Sequence, residues 1–429
     1  MRLPKLVLVI FVSLFLSACT FPWQKSNKII TLYYWGLFDS ATTINEIVED
    51  YKKVRPNVNI VYDKKSREQY RETLQTQIAA GKGPDIFQFH NTWMLMVQKD
   101  LTLVPTDVFS LSDFKDNFYP TVITDLRNSQ KKFVGVPIGI DGLSLYYNEE
   151  LFQAAGIAAP PATWQEFAQD AIRLTVRDTA GNIRTAGAAL GTSVNVDYFS
   201  DILALMVLQN GGDLKNPVNQ RSYDALDYYT HFAKGQNRVW DETMPSSALA
   251  FAGGNLAMYF GPSTKAADIK NTNPLLKFKV VPVPQLEGGK VAWASYWAIG
   301  VSANLKDKEA QDEAWRFVKY LQDDQTMVKL YSEAAKDPAK LVGLPYPKIN
   351  LGQKLATDPI VGAYITDAPY MRSFPMAANT FDNGLNDQII KAYAEAIKAN
   401  LSGTPANRSL EPAAKVIQNV FTKYTSPKQ

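Results

Sequence analysis

Two kinds of side chain recur where extended segments give way to turns: flat aromatic rings and short hydrogen-bonding groups. Trp35 closes a β-rich run and Asp39 follows in its loop; Phe89, His90 and Asn91 close another such run. Asp141 stands within Gly139-Ile140-Asp141-Gly142, and Trp293, Tyr296 and Trp297 crowd together in one short stretch. An indole face stacks on the apolar face of a hydroxylated ring, while a carboxylate, imidazole or carboxamide holds hydroxyls by directional hydrogen bonds. Groups at the carboxyl ends of strands are placed to meet a ligand in an α/β fold. The same positions have plainer uses. Trp35 can pack within its layer, Asp39 can cap the next helix, His90 can sit in a solvent loop, and Asp141 can cap a turn. Strand alternation sets Trp297 and Tyr296 on opposite faces, so one geometry does not make both a stacking platform.

Covalent and metal chemistry is poorly supplied. With one Cys and two His in the chain, a Cys/His zinc site, an iron–sulfur cluster and a disulfide framework are excluded by count. The phosphate loop, the dinucleotide glycine fingerprint, the His-Glu-x-x-His pair and the Gly-x-Ser-x-Gly elbow are all missing. A glycosidase needs only two carboxylates, so composition does not eliminate one. At 429 residues, 46% hydrophobic and 20% charged, the chain has material for two or three lobes at roughly 150 residues each. A net charge of +3 with interspersed signs is too weak a field for nucleic acid as main partner.

The single Cys lies where an address would end. Arg2 and Lys5 precede an apolar run from Leu6 to Ala18. That run is shorter than the roughly 20 residues a spanning helix needs, so it reads as a secretion signal over 1–18. Leu16-Ser17-Ala18-Cys19 resembles the lipobox of bacterial lipoproteins, which implies cleavage before Cys19, acylation of Cys19, and a tether over 19–28 on the extracytoplasmic face of a membrane.

Behind the candidate residues, the pattern alternates strand and helix. Ile29 to Trp35 is β-rich; Ile44, Ile47, Val48, Tyr51 and Val54 form a helical stripe behind Thr43 and Glu46 in capping-box spacing. Val58, Ile60 and Tyr62 alternate. Tyr70, Leu74 and Ile78 make a second stripe, with Ser66 and Gln69 in capping spacing before it and Gly81 as C-cap. Asp85 to Phe89 reads as a third strand, which gives a parallel sheet covered by helices. Phe133–Pro137 and Leu143–Tyr147 read as extended. Thr163 and Glu166 cap a helix that turns Trp164, Phe167, Ala171 and Ile172 inward. Further helices are expected over 198–209, 223–234, 308–322, 388–400 and 411–423, with a strand over 297–301.

One run carries more than pattern. Ile78-Ala79-Ala80-Gly81-Lys82-Gly83-Pro84-Asp85-Ile86 closely resembles a segment of the extracellular solute-binding proteins of ABC transporters, in the sugar-binding subgroup that includes maltose-binding protein. Gly135 to Asn148, Pro160-Pro161-Ala162-Thr163-Trp164-Gln165-Glu166-Phe167, Phe251 to Met258, and Trp297 to Ser302 followed by Ala314 to Val318 resemble further segments of that family, in order along the chain. The resemblance implies an α/β, two-lobed periplasmic-binding-protein-like fold of type II, each lobe a mostly parallel sheet flanked by helices, with a ligand cleft at the hinge. It divides the chain into 29–139 with 297–345 as the first lobe and 140–296 with 346–429 as the second. It also adds site residues: Tyr198 as an aromatic contact from the second lobe, Asn379 and Phe381 from a late segment, and support for Phe89, His90, Asn91 and Asp141. Arg372 is a looser candidate. The sequence departs from the family at Trp293 to Trp297, where members often carry a Gly-Gly pair.

The function expected on that basis is capture of a mono- or oligosaccharide and its delivery to the permease subunits of an ABC importer. The protein would be a monomer, neither an enzyme nor a nucleic-acid binder, and would need no cofactor or metal. The alternatives are a surface lipoprotein glycoside hydrolase, a binding protein for a peptide, polyol or glycerol phosphate, and an interaction module that has lost its ligand.

Overall fold

The computed structural model describes residues 28–425, so the signal and the Cys19 lipidation expectation lie outside the described residues. Along them the strands are β1 (Ile30–Gly36), β2 (Val58–Lys64), β3 (Ile86–His90), β4 (Val136–Pro137), β5 (Ser144–Asn148), β6 (Val176–Arg177), β7 (Ile183–Ala188), β8 (Leu256–Gly261), β9 (Phe278–Val281), β10 (Ala292–Trp293), β11 (Trp297–Val301) and β12 (Met371–Arg372). They form two five-stranded sheets, β2-β1-β3-β11-β4 and β6-β7-β8-β5-β9, and a small pair, β10-β12.

Local chemistry explains the elements that frame the site. Ile30, Leu32 and Tyr34 of β1 turn into the core, and Thr31 and Tyr33 turn out. The helix Ala41–Val54 buries Ile44, Ile47, Val48 and Tyr51, but its cap is Ser40, whose Oγ accepts from Thr43 N at 3.0 Å; Thr43 lies inside the helix. The helix Tyr70–Ala79 buries Tyr70, Leu74 and Ile78 as its stripe requires. The expected Ser66–Gln69 box is absent, because Gln69 takes a left-handed conformation (φ +57°) and its side chain caps nothing. At the other end Gly81, at φ +71°, returns its N–H to Ile78 O while Lys82 N reaches Gln77 O, a left-handed closure that glycine adopts without strain. The Thr163–Glu166 capping box forms in full. Ile172 is a correction: it is 48% exposed, on the outer side of the helix whose inner face is Trp164, Phe167 and Ala171.

The sheets correct a further expectation. β1 runs parallel to β2 and β3, and β7 parallel to β8, but β3–β11, β11–β4, β8–β5, β5–β9 and β6–β7 are antiparallel. Both sheets are mixed rather than mostly parallel. Strand–helix–strand units impose parallel pairing only where they occur; β4, β5 and β11 enter their sheets from the crossing between the layers, so nothing sets them parallel.

Three segments cross between the sheets and are laced together. The first follows β4, the second joins β10 to β11, and the third approaches β12. Ile138 N bonds Trp297 O (2.9 Å), Ile140 N bonds Pro345 O (2.8 Å), Ser295 N bonds Asp141 O (2.9 Å) and Ala294 N bonds Arg372 O (2.9 Å). Gly142 pairs antiparallel with Ala294. A Cβ on Gly142 would stand 1.8 Å from the carbonyl oxygen of Trp293, and that atom is backbone. Gly142→Ala should therefore lower stability by roughly 2–3 kcal/mol in chemical denaturation. Gly289→Ala, at a position with open space around it, should be close to neutral.

Candidate functional site

Between the two sheets lies a cavity of about 460 Å³. Phe38, Asp39, His90 and Trp297 wall it from the first sheet; Tyr198, Asp201, Thr264 and Lys265 from the second; Asp141, Gly142, Ser295 and Tyr296 from the crossings. Lys340 and Leu344 add a back wall, and Asn379, Thr380 and Phe381 a lip. Of the expected residues, Asp39, His90, Asp141, Tyr198, Tyr296, Trp297, Asn379 and Phe381 thus meet at one cavity.

Trp35, Phe89, Asn91 and Trp293 do not line it, each for a physical reason. Trp35 alternates with the buried Tyr34, so it turns to the outer face of the sheet, where Lys65 Nζ stands 4.2 Å from its ring centroid. Phe89 is fully buried in the core of the first sheet beside Phe87. Asn91 braces the hinge: its Oδ1 accepts from Tyr296 N at 3.1 Å and its Nδ2 donates to Asp125 Oδ2 at 2.9 Å. Trp293 is fully buried and donates its indole N–H to Asp201 Oδ1 at 2.7 Å. Arg372 also lies off the cavity, in β12.

Register explains the platform. Pairing of β11 with β3 sets Trp297 opposite His90. His90, Trp93 and Phe38 meet the Trp297 ring edge-on at centroid distances of 5.2, 5.1 and 5.4 Å, which fixes its plane. Tyr296 precedes the strand, so alternation does not apply to it, and both residues reach the cavity. His90 is itself fully committed. Thr92 N–H points at Nδ1 (3.3 Å), making that nitrogen an acceptor, and Nε2–H then donates to Ser295 Oγ (3.2 Å). Burial holds the imidazole neutral, with its pKa lowered to about 3.

The carboxylates differ in what they hold. Asp39 is free of the helix cap, which Ser40 supplies; burial raises its pKa, while Lys340 and Lys64 oppose that rise. Asp141 ties the first crossing to the end of β8, accepting from Gly142 N (2.8 Å), Ser263 N (3.1 Å) and Ser263 Oγ (2.8 Å). Asp201 accepts from Trp293, from Ser200 Oγ (3.0 Å) and from Ala378 N (2.9 Å). Burial pushes both Asp141 and Asp201 up to about 6.

The lip is strained. Asn379, Phe381 and Asn383 hold φ values of +58°, +54° and +44°, a region costly for side chains such as Phe. Asp201 fixes one end of it through Ala378 N. Arg71 Nε donates to Asp382 O, and Asn383 Nδ2 donates to Glu72 Oε2 at 3.1 Å. Arg67, which lies against the Phe381 ring, was not foreseen, nor were Lys340 and Leu344, since nothing periodic marks their segments.

Residues 35–328 match the family of bacterial extracellular solute-binding proteins. A maltotriose-binding protein of Pyrococcus abyssi is 21% identical over 291 residues, 66% of this chain and 60% of its own length. An sn-glycerol-3-phosphate-binding periplasmic protein of Yersinia pestis is 25% identical over 336 residues, 71% of this chain and 73% of its own. Among solved structures, the sugar-binding protein MalE from Xanthomonas citri superposes with a TM-score of 0.73 at 17% identity, covering 92% of this chain and 98% of that one. The two-lobed fold is therefore shared.

The raised carboxyls give a pH dependence with a definite sign. In the unfolded chain Asp141 ionises near pH 4, but in the folded chain it keeps its proton up to about pH 6. Between those values the folded state binds more protons, so this carboxyl's contribution to stability is full below pH 4 and is lost as pH rises to about 6. Asp141→Asn keeps an acceptor for Gly142 and Ser263 N–H. Denaturation midpoints across this window should fall less steeply for this variant than for the parent.

Proposed function

The chain belongs to the family of bacterial extracellular solute-binding proteins, and from that premise we propose that it captures a mono- or oligosaccharide and hands it to an ABC importer. One observation carries the reading: the Trp297 platform, held in plane by three aromatic edges, faces a cavity whose hydrogen-bonding groups come from both sheets. A ring stacked on Trp297 would have its hydroxyls within the circle of Asp39, Tyr198, Lys340 and Asn379. In this reading 29–139 with 297–345 closes as one lobe against 140–296 with 346–429. The ligands for which the relatives are named, maltotriose for one and sugar for another, favour the same class.

Closure follows from two-sided contact. A ligand that touches one wall only shifts nothing between open and closed states. Driving the closed state from 1:99 to 99:1 takes a preference of about 5.5 kcal/mol. Several hydroxyl bonds at about 0.5–1.5 kcal/mol each, with stacking at a similar value, supply it. The closed form is what a permease would recognise, and Cys19 acylation would keep the protein at the membrane as a monomer.

The glycerol phosphate relative raises a second reading, and the charge of the wall speaks against it. Asp39, Asp141, Asp197, Asp201 and Asp268 face it against Arg67, Lys265 and Lys340, and Lys265 is paired with Asp268 at 2.7 Å. A phosphate would enter a field of its own sign. Hydrolysis is disfavoured because Asp141 and Asp201 are engaged by protein donors. Asp197 likewise accepts from Ser247 Oγ and Ala248 N, both at 2.7 Å.

Titration calorimetry against a sugar panel tests the reading. Saturable one-to-one heat for one sugar class is expected, with the sugar recovered unchanged, and Trp297→Ala should weaken it about tenfold or more. A flat response to every sugar, or release of hydrolysed product, would overturn it.

A further inference from the structure

A second cavity, of about 580 Å³, opens among the helices Ala41–Val54, Leu111–Asn117 and Lys308–Leu321 that flank the first sheet, and none of its lining residues lines the first cavity. Two residues on its wall, each only 3% exposed, carry polar atoms without a hydrogen-bond partner: the Tyr51 hydroxyl and Gln322 Oε1. The Gln322 amide is fixed by its Nε2, which donates to Pro137 O at 3.0 Å, so the oxygen is left as an acceptor without a donor. Gln322 also borders a void of about 50 Å³, much smaller than the cavity. Buried groups left unmet are costly, and two on one wall point to something that meets them.

The rest of the wall says what kind of molecule that is. Phe109, Phe118 and Tyr320 make part of the wall aromatic. The rim is cationic. Arg55 and Arg316 share one buried carboxylate, Glu313, so one guanidinium charge is left over. Lys319 Nζ donates to the Val108 carbonyl at 2.6 Å and stands 4.6 Å from the Phe109 ring centroid. The acids on the wall are engaged elsewhere: Asp113 in the capping box with Ser110, and Asp323 as the cap of the helix Asp324–Lys336.

We propose that this cavity is a second binding site, for a small hydroxylated ring that carries a carboxylate. The ring packs on the aromatic wall, one hydroxyl donates to Gln322 Oε1, the Tyr51 hydroxyl donates to the ring's oxygens, and the carboxylate lies toward Arg316 and Lys319. A uronic acid and a hydroxybenzoate share this chemistry, the first with an aliphatic ring and the second with an aromatic one.

The purified chain is titrated with glucuronate and with 4-hydroxybenzoate, with glucose and phenol as their uncharged counterparts. At least one anion should saturate at one equivalent and outbind its uncharged counterpart, and which one saturates identifies the ring type. Tyr51→Phe, which keeps the ring, should weaken it about tenfold, and the exposed Lys319→Gln should weaken it severalfold. Tyr51→Phe should not lower the thermal stability of the free protein, since it removes an unmet buried hydroxyl, and neither variant should change titration of the sugar in the first cavity. Absence of saturation by both anions would overturn the proposal and leave the two atoms to ordered water. Equal affinity in parent and both variants, or displacement of the anion by the sugar, would overturn it too.

Discussion

Where the chain first passes between its two sheets, Gly142 lies against the carbonyl of Trp293 with no room for a side chain. That approach lets the first and second crossings pair as a short antiparallel ladder, Gly142 with Ala294, and brings Asp141 O to Ser295 N. Three residues further along the second crossing begins β11, so the same contact sets where Trp297 enters the first sheet and meets His90. Asn91 repeats the device from the other side, exchanging bonds with Tyr296 through both its backbone and its side chain. The platform is placed by backbone register and braced by aromatic edges, which leaves little freedom to its ring.

The buried carboxylates work on the same junction. Asp141, Asp201 and Asp125 each gather donors from segments far apart in sequence: Asp125 from Asn91, Thr121 and Ser373, Asp201 from Trp293 and Ala378. Burial makes their charges costly, and the bonds offset that cost only in part, which is why Asp141 and Asp201 hold protons to about pH 6. Such groups stabilise less than they specify. They fix which crossing lies where, and so the separation of the two walls that a ligand must bridge.

Much of this was legible in the residues, for reasons that can be stated. Tyr70, Leu74 and Ile78 predicted a buried face, because helical spacing maps directly onto burial, and the Thr163–Glu166 box predicted a helix start, because both reciprocal bonds are local. Local signals also misled. Thr43 has the right spacing to Glu46, yet Ser40 comes first and takes the cap. Gln69 takes a left-handed turn that no side-chain pattern announces. The site shows the same division. Asp141, Tyr198, Asn379 and Phe381 were placed through family resemblance and Trp297 through its clustering with Trp293 and Tyr296, and all five line the cavity. Trp35 was read by its position at a strand end, but alternation with the buried Tyr34 turns it to the outer face of the sheet. Arg67, Lys340 and Leu344 reach the cavity only through the tertiary crossing, so nothing in their own segments could have marked them.

The account's central claim is that one ligand is held by both walls at once. Small-angle X-ray scattering of the chain, without sugar and with the sugar that binds, tests this most directly. Contraction of the radius of gyration on saturation is the predicted result, since bonds to Asp39 and Tyr198 together draw the two sheets toward each other. An unchanged scattering profile at demonstrated saturation would contradict it, because a sugar held by one wall alone gives the lobes no reason to close.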